Sequence, residues 1–132
     1  MCSEPFIEEG LKWHFYDTGV PHLVTFVDDI DQFNKEIARK MRYAHNANVN
    51  YAAIKDGKLY VRTYERGVED ETLACGTGMA ASFYAAYGEK MVGKGVIVYP
   101  TSLETLFLRI ENDRIFFKGT VACIFETQWK RH

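Results

Sequence analysis

The chain has 132 residues, 47% of them apolar and 26% charged, with a formal net charge of -2. This is the profile of a soluble globular chain of one-domain size. The charge argues against a basic nucleic-acid-binding face, since the only basic cluster is Lys130-Arg131-His132, and no apolar run is long enough to span a bilayer.

Three cysteines, Cys2, Cys75 and Cys123, stand far apart, with no CxxC and no HxxxH. Neither a disulfide framework nor a zinc site is expected, and a reducing cytoplasm is the natural compartment. The opening MCSEPFIEEG lacks the basic and apolar regions of a signal peptide. Cys123, within Val121-Ala122-Cys123-Ile124-Phe125, reads as a buried, inert thiol.

Leu11 to Tyr16 alternates, with Leu11, Trp13 and Phe15 on one side, and predicts a strand. A turn at DTGVP leads to a second strand over His22 to Val27. Asp28-Asp29 then precedes Ile30, Phe33, Ile37 and Met41, whose spacing predicts one amphipathic helix with an acidic start. Asp56-Gly57 between Val49–Lys55 and Lys58–Glu65 predicts a hairpin. A loop from Arg66 to Ala74 follows, then a helix over 78 to 87. Further strands are expected at Val96–Tyr99, Glu104–Ile110, Arg114–Lys118 and Val121–Glu126, with a turn at Asn112-Asp113. No repeat, low-complexity tract or linker divides the chain, so residues 1–132 are expected to form a single domain.

The helix over 78 to 87 carries no charged side chain. A helix that is apolar all round is buried, and its alanines let other backbone come close. The fold class expected is therefore α/β (α+β): strands wrapped around a central apolar helix, with the amphipathic helix packed outside.

Cys75 stands immediately before Gly76-Thr77-Gly78. Thr77 would be a good N-cap and Gly88 a good stop. The first turn of a helix has free N–H groups and a partial positive charge, which favour a thiolate at Cys75 and a carboxylate or phosphate on the glycine amides. An anion cradle beside a reactive sulfur suits proton chemistry at the α-carbon of an amino acid. The same four residues also fit a small-residue helix start with a packed thiol, and they form no phosphate-loop motif. Tyr64-Glu65-Arg66-Gly67 ends a strand; Glu65 could hold a proton-transferring group and Arg66 could clamp a carboxylate, although a surface ion pair fits equally. His22 follows a rigid Val20-Pro21 turn, and Asn48-Val49-Asn50 could cap a turn or bind a polar ligand.

GVPHLV, NANVNYA, RTYERGVEDETLACGTGMAAS and FFKGTV together resemble the C-terminal half of diaminopimelate epimerase, in order and over nearly the whole chain. The resemblance implies a two-domain fold of which this chain is the C-terminal catalytic half. It implies epimerisation of LL-diaminopimelate to the meso form, in lysine and peptidoglycan-precursor synthesis, without pyridoxal phosphate or metal. Two cysteines, one from each similar domain, would work on opposite faces of the α-carbon. Cys75 would be one of them, Gly76 and Thr77 would supply amides, Glu65 and His22 would assist proton transfer, and Arg66 and Asn48 would grip the distal end of the substrate.

Three departures stand out. Val20 replaces an asparagine common before the Pro-His pair, VEDET is one residue longer than the usual form, and the cysteine motif of the other half is absent. The chain is therefore expected to be half of a larger enzyme, partnered by an N-terminal half and nearly inactive alone. The alternatives are a racemase of the proline-racemase branch, a non-catalytic binding module, or a homodimer that sets two Cys75 residues across one cleft.

Overall fold

A computed structural model describes residues 5–17, 20–72, 76–99, 106–111, 114–119 and 128–130. The strands in chain order are β1 (Phe6–Glu8), β2 (Leu11–Asp17), β3 (Pro21–Phe26), β4 (Asn48–Lys55), β5 (Lys58–Glu65), β6 (Asp70–Thr72), β7 (Gly95–Tyr99), β8 (Leu106–Glu111), β9 (Arg114–Gly119) and β10 (Gln128–Lys130). Helix α1 covers Lys35–His45 and helix α2 covers Gly76–Gly88. Among the described residues the strands form one sheet, ordered β1-β2-β3-β4-β5-β7-β8-β9-β10, with β6 also pairing β5.

Most neighbours are antiparallel, but β3–β4 and β5–β7 are parallel. Parallel neighbours need a crossover. Helix α1 makes the first and α2 the second. The two helices pack in separate apolar clusters. Trp13, Leu23, Val49, Tyr51 and Tyr64 gather with Ala38 and Met41 of α1. Tyr16, Val24, Ala52, Val61, Val98, Leu108 and Ile115 gather around Met79, Ala81 and Phe83 of α2. The alternation of side chains along a strand thus feeds both faces of the sheet.

The expected wrapping of strands around a central helix is what the chain adopts. On α2, Met79, Ala80, Ala81, Ser82, Phe83, Ala85 and Ala86 are all buried. The one polar side chain among these seven, Ser82, donates its hydroxyl to the Gly78 carbonyl at 2.8 Å. The Asp56-Gly57 hairpin forms as expected, with φ of 53° and 73° at the two turn residues.

Three expectations need correction. The segment from Ile30 to Met41 is not one helix. Ile30–Gln32 is a short 3-10 turn closed by a capping box between Asp29 and Gln32, and Phe33 leaves helical space at φ -50°, ψ 124°. Asn34 starts α1 anew, accepting from the Ile37 amide at 3.0 Å. The loop expected from Arg66 to Ala74 contains β6, which doubles back on β5 with Thr72 opposite Thr63. Ion pairs from Arg62 to Glu71 and from Lys35 to Asp70 hold it there. Thr77 is not the cap of α2 but lies inside its first turn. The short β1 and β10 lie beyond the periodicity that the sequence displays. The strand expected at 121–126 and the turn at 112–113 lie outside the described residues.

Candidate active site

Two strand beginnings, one strand end and one helix beginning meet on the α2 face. His22 pairs with Asn48 across the parallel β3–β4 ladder. Val49 pairs with Tyr64 in the antiparallel β4–β5 ladder, so Asn48 and Glu65 are neighbours at the same end. Side chains two apart share a face. His22 and Asn48 therefore stand on the face that also carries Val24, Asn50, Ala52, Val61 and Thr63, the face that receives α2.

His22 is fully buried. Its Nε2 lies 3.0 Å from Thr77 Oγ1, in the first turn of α2, and its Nδ1 lies 3.2 Å from Asn50 Nδ2. Burial pushes its imidazole from the ordinary 6.5 down to about 4; Asp17 opposes the shift and Arg66 reinforces it. The ring is neutral at pH 7, because desolvation penalises the cation.

Asn48 is almost fully buried, and its Oδ1 accepts from the Arg66 backbone amide at 2.6 Å. With the oxygen engaged on the main chain, the side chain offers a ligand its N–H donors. Arg66 Nη1 in turn donates to the Asn46 carbonyl at 3.0 Å. Asn46 ends α1 in a left-handed conformation, φ 52° and ψ 48°. A guanidinium at a helix C-terminus is in a favourable field. Both groups at this corner of the site are thus donors, matched to an anion.

The turn that carries Arg66 is held from α1. The Glu69 amide donates to the Glu65 carbonyl at 2.9 Å, and the Tyr64 hydroxyl donates to the Glu69 carbonyl at 2.9 Å. Arg42 donates to Glu69 Oε2 from Nη2 at 2.6 Å and from Nε at 3.1 Å. That guanidinium holds the Glu69 carboxyl below the usual carboxylate range.

The structure brings His22, Asn48, Glu65, Arg66, Gly76 and Thr77 to one end of the molecule: strand positions for the first three, the turn after β5 for Arg66, and the start of α2 for the glycine and threonine. Glu65 is the last residue of β5 and half-buried. Cys75, together with Cys2 and Cys123, lies outside the described residues. Val20, one of the three departures noted in the sequence, is half-buried just ahead of β3. Thr63 is absent from the set expected from sequence, and Asn50 enters it only as part of Asn48-Val49-Asn50, with no role beside His22. The Asn-Val-Asn spacing, which places two asparagines on one strand face, is the signal that points to Asn50. No group of three His, Cys, Asp or Glu side chains converges among the described residues, and no helix among them is long and apolar enough to cross a membrane.

Comparison with known proteins identifies the family and the fold. The family model described as diaminopimelate epimerase matches residues 14–124. The chain is 58% identical over 121 residues to the diaminopimelate epimerase of a Nitratiruptor species, covering 91% of this chain and 48% of that protein. It is 51% identical over 128 residues to the enzyme of Campylobacter lari, covering 96% of this chain and 51% of that one. It is 47% identical to the enzyme of Helicobacter pylori, covering 94% of this chain and 47% of that one. The chain therefore spans about half the length of these relatives. Among solved structures, a phenazine biosynthesis PhzC/PhzF protein from Clostridium difficile superposes with a TM-score of 0.64 at 15% identity, covering 80% of this chain and 42% of that one. A PhzF-family protein from Enterococcus faecalis superposes at 0.62 with 12% identity, covering 74% and 36%. These two likenesses concern the fold. On the family match and the identity to its members, this chain belongs to the diaminopimelate epimerase family.

Proposed function

We propose that this chain is the Cys75-bearing half of a diaminopimelate epimerase active site, working in the cytoplasm without a cofactor and completed by an N-terminal half. The reading is carried by one observation: six of the residues that the family resemblance nominates, His22, Asn48, Glu65, Arg66, Gly76 and Thr77, lie far apart in sequence, yet the first turn of α2 meets His22 and the Arg66 turn meets Asn48 beside it.

The chemistry follows from the groups present. An α-proton of an amino acid is a very weak acid. In this reading the Cys75 thiolate forms an S–H bond as the Cα–H bond breaks, and the electron pair left behind spreads into the α-carboxylate. N–H donors of the first turn of α2 lower the energy of that charge because they are already aimed before it develops. A thiol of the other half then returns a proton to the opposite face, which inverts the centre. No oxidant or reductant is needed, and the same cycle runs in reverse with the two sulfurs exchanging roles. At the distal end, Asn48 and Arg66 present donors and select a carboxylate, while Glu65 stands close enough in the ladder to hold an ammonium or a proton-transferring group.

The test is proton exchange at the α-carbon of LL- and meso-diaminopimelate in deuterated water. This chain combined with the N-terminal half of its parent should exchange and epimerise; the chain alone should not. Cys75→Ala should lower exchange by about 10²- to 10⁴-fold, the usual contribution of a positioned acid or base. The alkylation midpoint of Cys75 should lie below the ordinary thiol value of about 8.5. Robust turnover by the isolated monomer would sink the half-site reading. Exchange of proline in place of diaminopimelate would move the protein to the racemase branch, and an ordinary, slowly alkylated Cys75 would point to a binding module.

A further inference from the structure

Thr63, Asn50, His22 and Thr77 form one chain of side-chain hydrogen bonds on the α2 face, and the direction of each link can be read. Asn50 Nδ2 lies 2.9 Å from the Leu23 carbonyl oxygen. A carbonyl only accepts, so that nitrogen is the NH2 group and the orientation of the amide is fixed. Asn50 Oδ1 accepts from the Thr63 hydroxyl at 2.8 Å. The second hydrogen of the NH2 points at His22 Nδ1, 3.2 Å away, which must therefore be the accepting nitrogen. A neutral imidazole with a bare Nδ1 carries its hydrogen on Nε2. That hydrogen is donated to Thr77 Oγ1 at 3.0 Å. Thr77 Oγ1 is then an acceptor toward the ring, and its own hydroxyl hydrogen is directed to a different partner.

We propose that Asn50, held by Thr63 and the Leu23 carbonyl, is a positioning residue that locks His22 in the Nε2–H tautomer and so sets the orientation of the Thr77 hydroxyl in the substrate site at the start of α2. The last step rests on the half-site reading above; the tautomer is a property of this chain. His22 then has both ring nitrogens engaged and acts through Thr77, not as a carrier of the transferred proton. The asparagine is needed because it is the one link that donates twice, to a carbonyl and to the ring, while still accepting from Thr63. Aspartate has its shape but no hydrogen to give, and a carboxylate beside Nδ1 attracts the ring hydrogen to that side.

The experiment uses the parent enzyme with 15N-labelled histidine. Long-range proton–nitrogen correlation reads the tautomer of His22, whose signal is identified by its loss in His22→Gln. The wild type should show Nε2 protonated and Nδ1 bare at pH 7. Asn50→Asp should move the hydrogen to Nδ1 or give the doubly protonated ring, and should lower kcat for α-proton exchange about tenfold or more, the scale of one hydrogen bond to a charged group. Thr63→Val keeps the shape of its side chain and should give a smaller loss in the same direction. Thr77→Val should cost about as much as Asn50→Asp, and the double variant no more than either, because the two act through one path. A purely structural Asn50 would give additive losses and an unchanged tautomer. An Nδ1–H ring in the wild type, an unmoved tautomer in Asn50→Asp, or full kcat with a switched tautomer would each overturn the proposal. Wild-type enzyme that exchanges no diaminopimelate proton would sink the half-site reading instead, and the response of the tautomer to Asn50→Asp would then decide the role of Asn50 by itself.

Discussion

His22 shows how one residue's chemistry is set by its neighbours. The ring is fully buried, and its pKa is displaced to about 4. The unfolded chain, with an ordinary value near 6.5, takes up a proton that the folded chain refuses. Stability from this source is intact above pH 6.5 and is lost as pH falls toward and through 4, at about 1.4 kcal/mol per unit of displacement. His14 contributes in the same direction, since burial lowers its pKa as well. Glu69 and Asp70 are held below the usual carboxylate range, so their loss belongs to more acid conditions. Urea unfolding between pH 7 and 5 should therefore show a falling midpoint that His22→Gln flattens in part; an unchanged slope in that variant would contradict the assignment. At this scale the sequence is informative where a motif names a residue. His22, Asn48, Glu65 and Arg66 stand in such motifs, and the structure gathers them. Thr63 was not legible, because a threonine in a strand is ordinary and only its 2.8 Å bond to Asn50 distinguishes it.

Helix α2 and the Asp56-Gly57 hairpin were legible because each has a strong local cause, one in composition and the other in turn chemistry. Helix α1 was legible in its apolar spacing but not in its start. Two competing caps, Asp29 and Asn34, stand five positions apart, and the chain uses both. If Asn34 is the operative cap of α1, Asn34→Ala should cost about 1 kcal/mol of unfolding free energy, measured by urea denaturation. Asp29→Ala should cost less, because the turn that it closes has three residues. Strand β6 was not legible at all. Three residues give too little alternation to read, and the segment is held by contacts that come from elsewhere: Lys35 in α1 and Arg62 in β5. The same Arg62 lies over the Phe33 ring at 4.5 Å, so β6, β5 and the turn before α1 share one side chain.

Across the described residues the strands wrap around α2, and Phe83 lies in the core between them. It is fully buried among side chains from most of the strands. Phe83→Ala should cost about 3–5 kcal/mol, enough to threaten a marginal chain, whereas Phe83→Leu should retain most of the thermal stability. Because α2 also carries Thr77, a loosened core should disturb the His22–Thr77 bond before it unfolds the sheet.

The hydrogen bond between His22 and Thr77 joins residues 55 positions apart. A growing polypeptide emerging from the ribosome exposes its imidazole to water long before the second helix exists. In the unfolded chain the ring titrates as a free histidine does; in the folded chain burial displaces it to about 4. The titration midpoint of that single ring thus reports, without any added label, whether its strand has been buried.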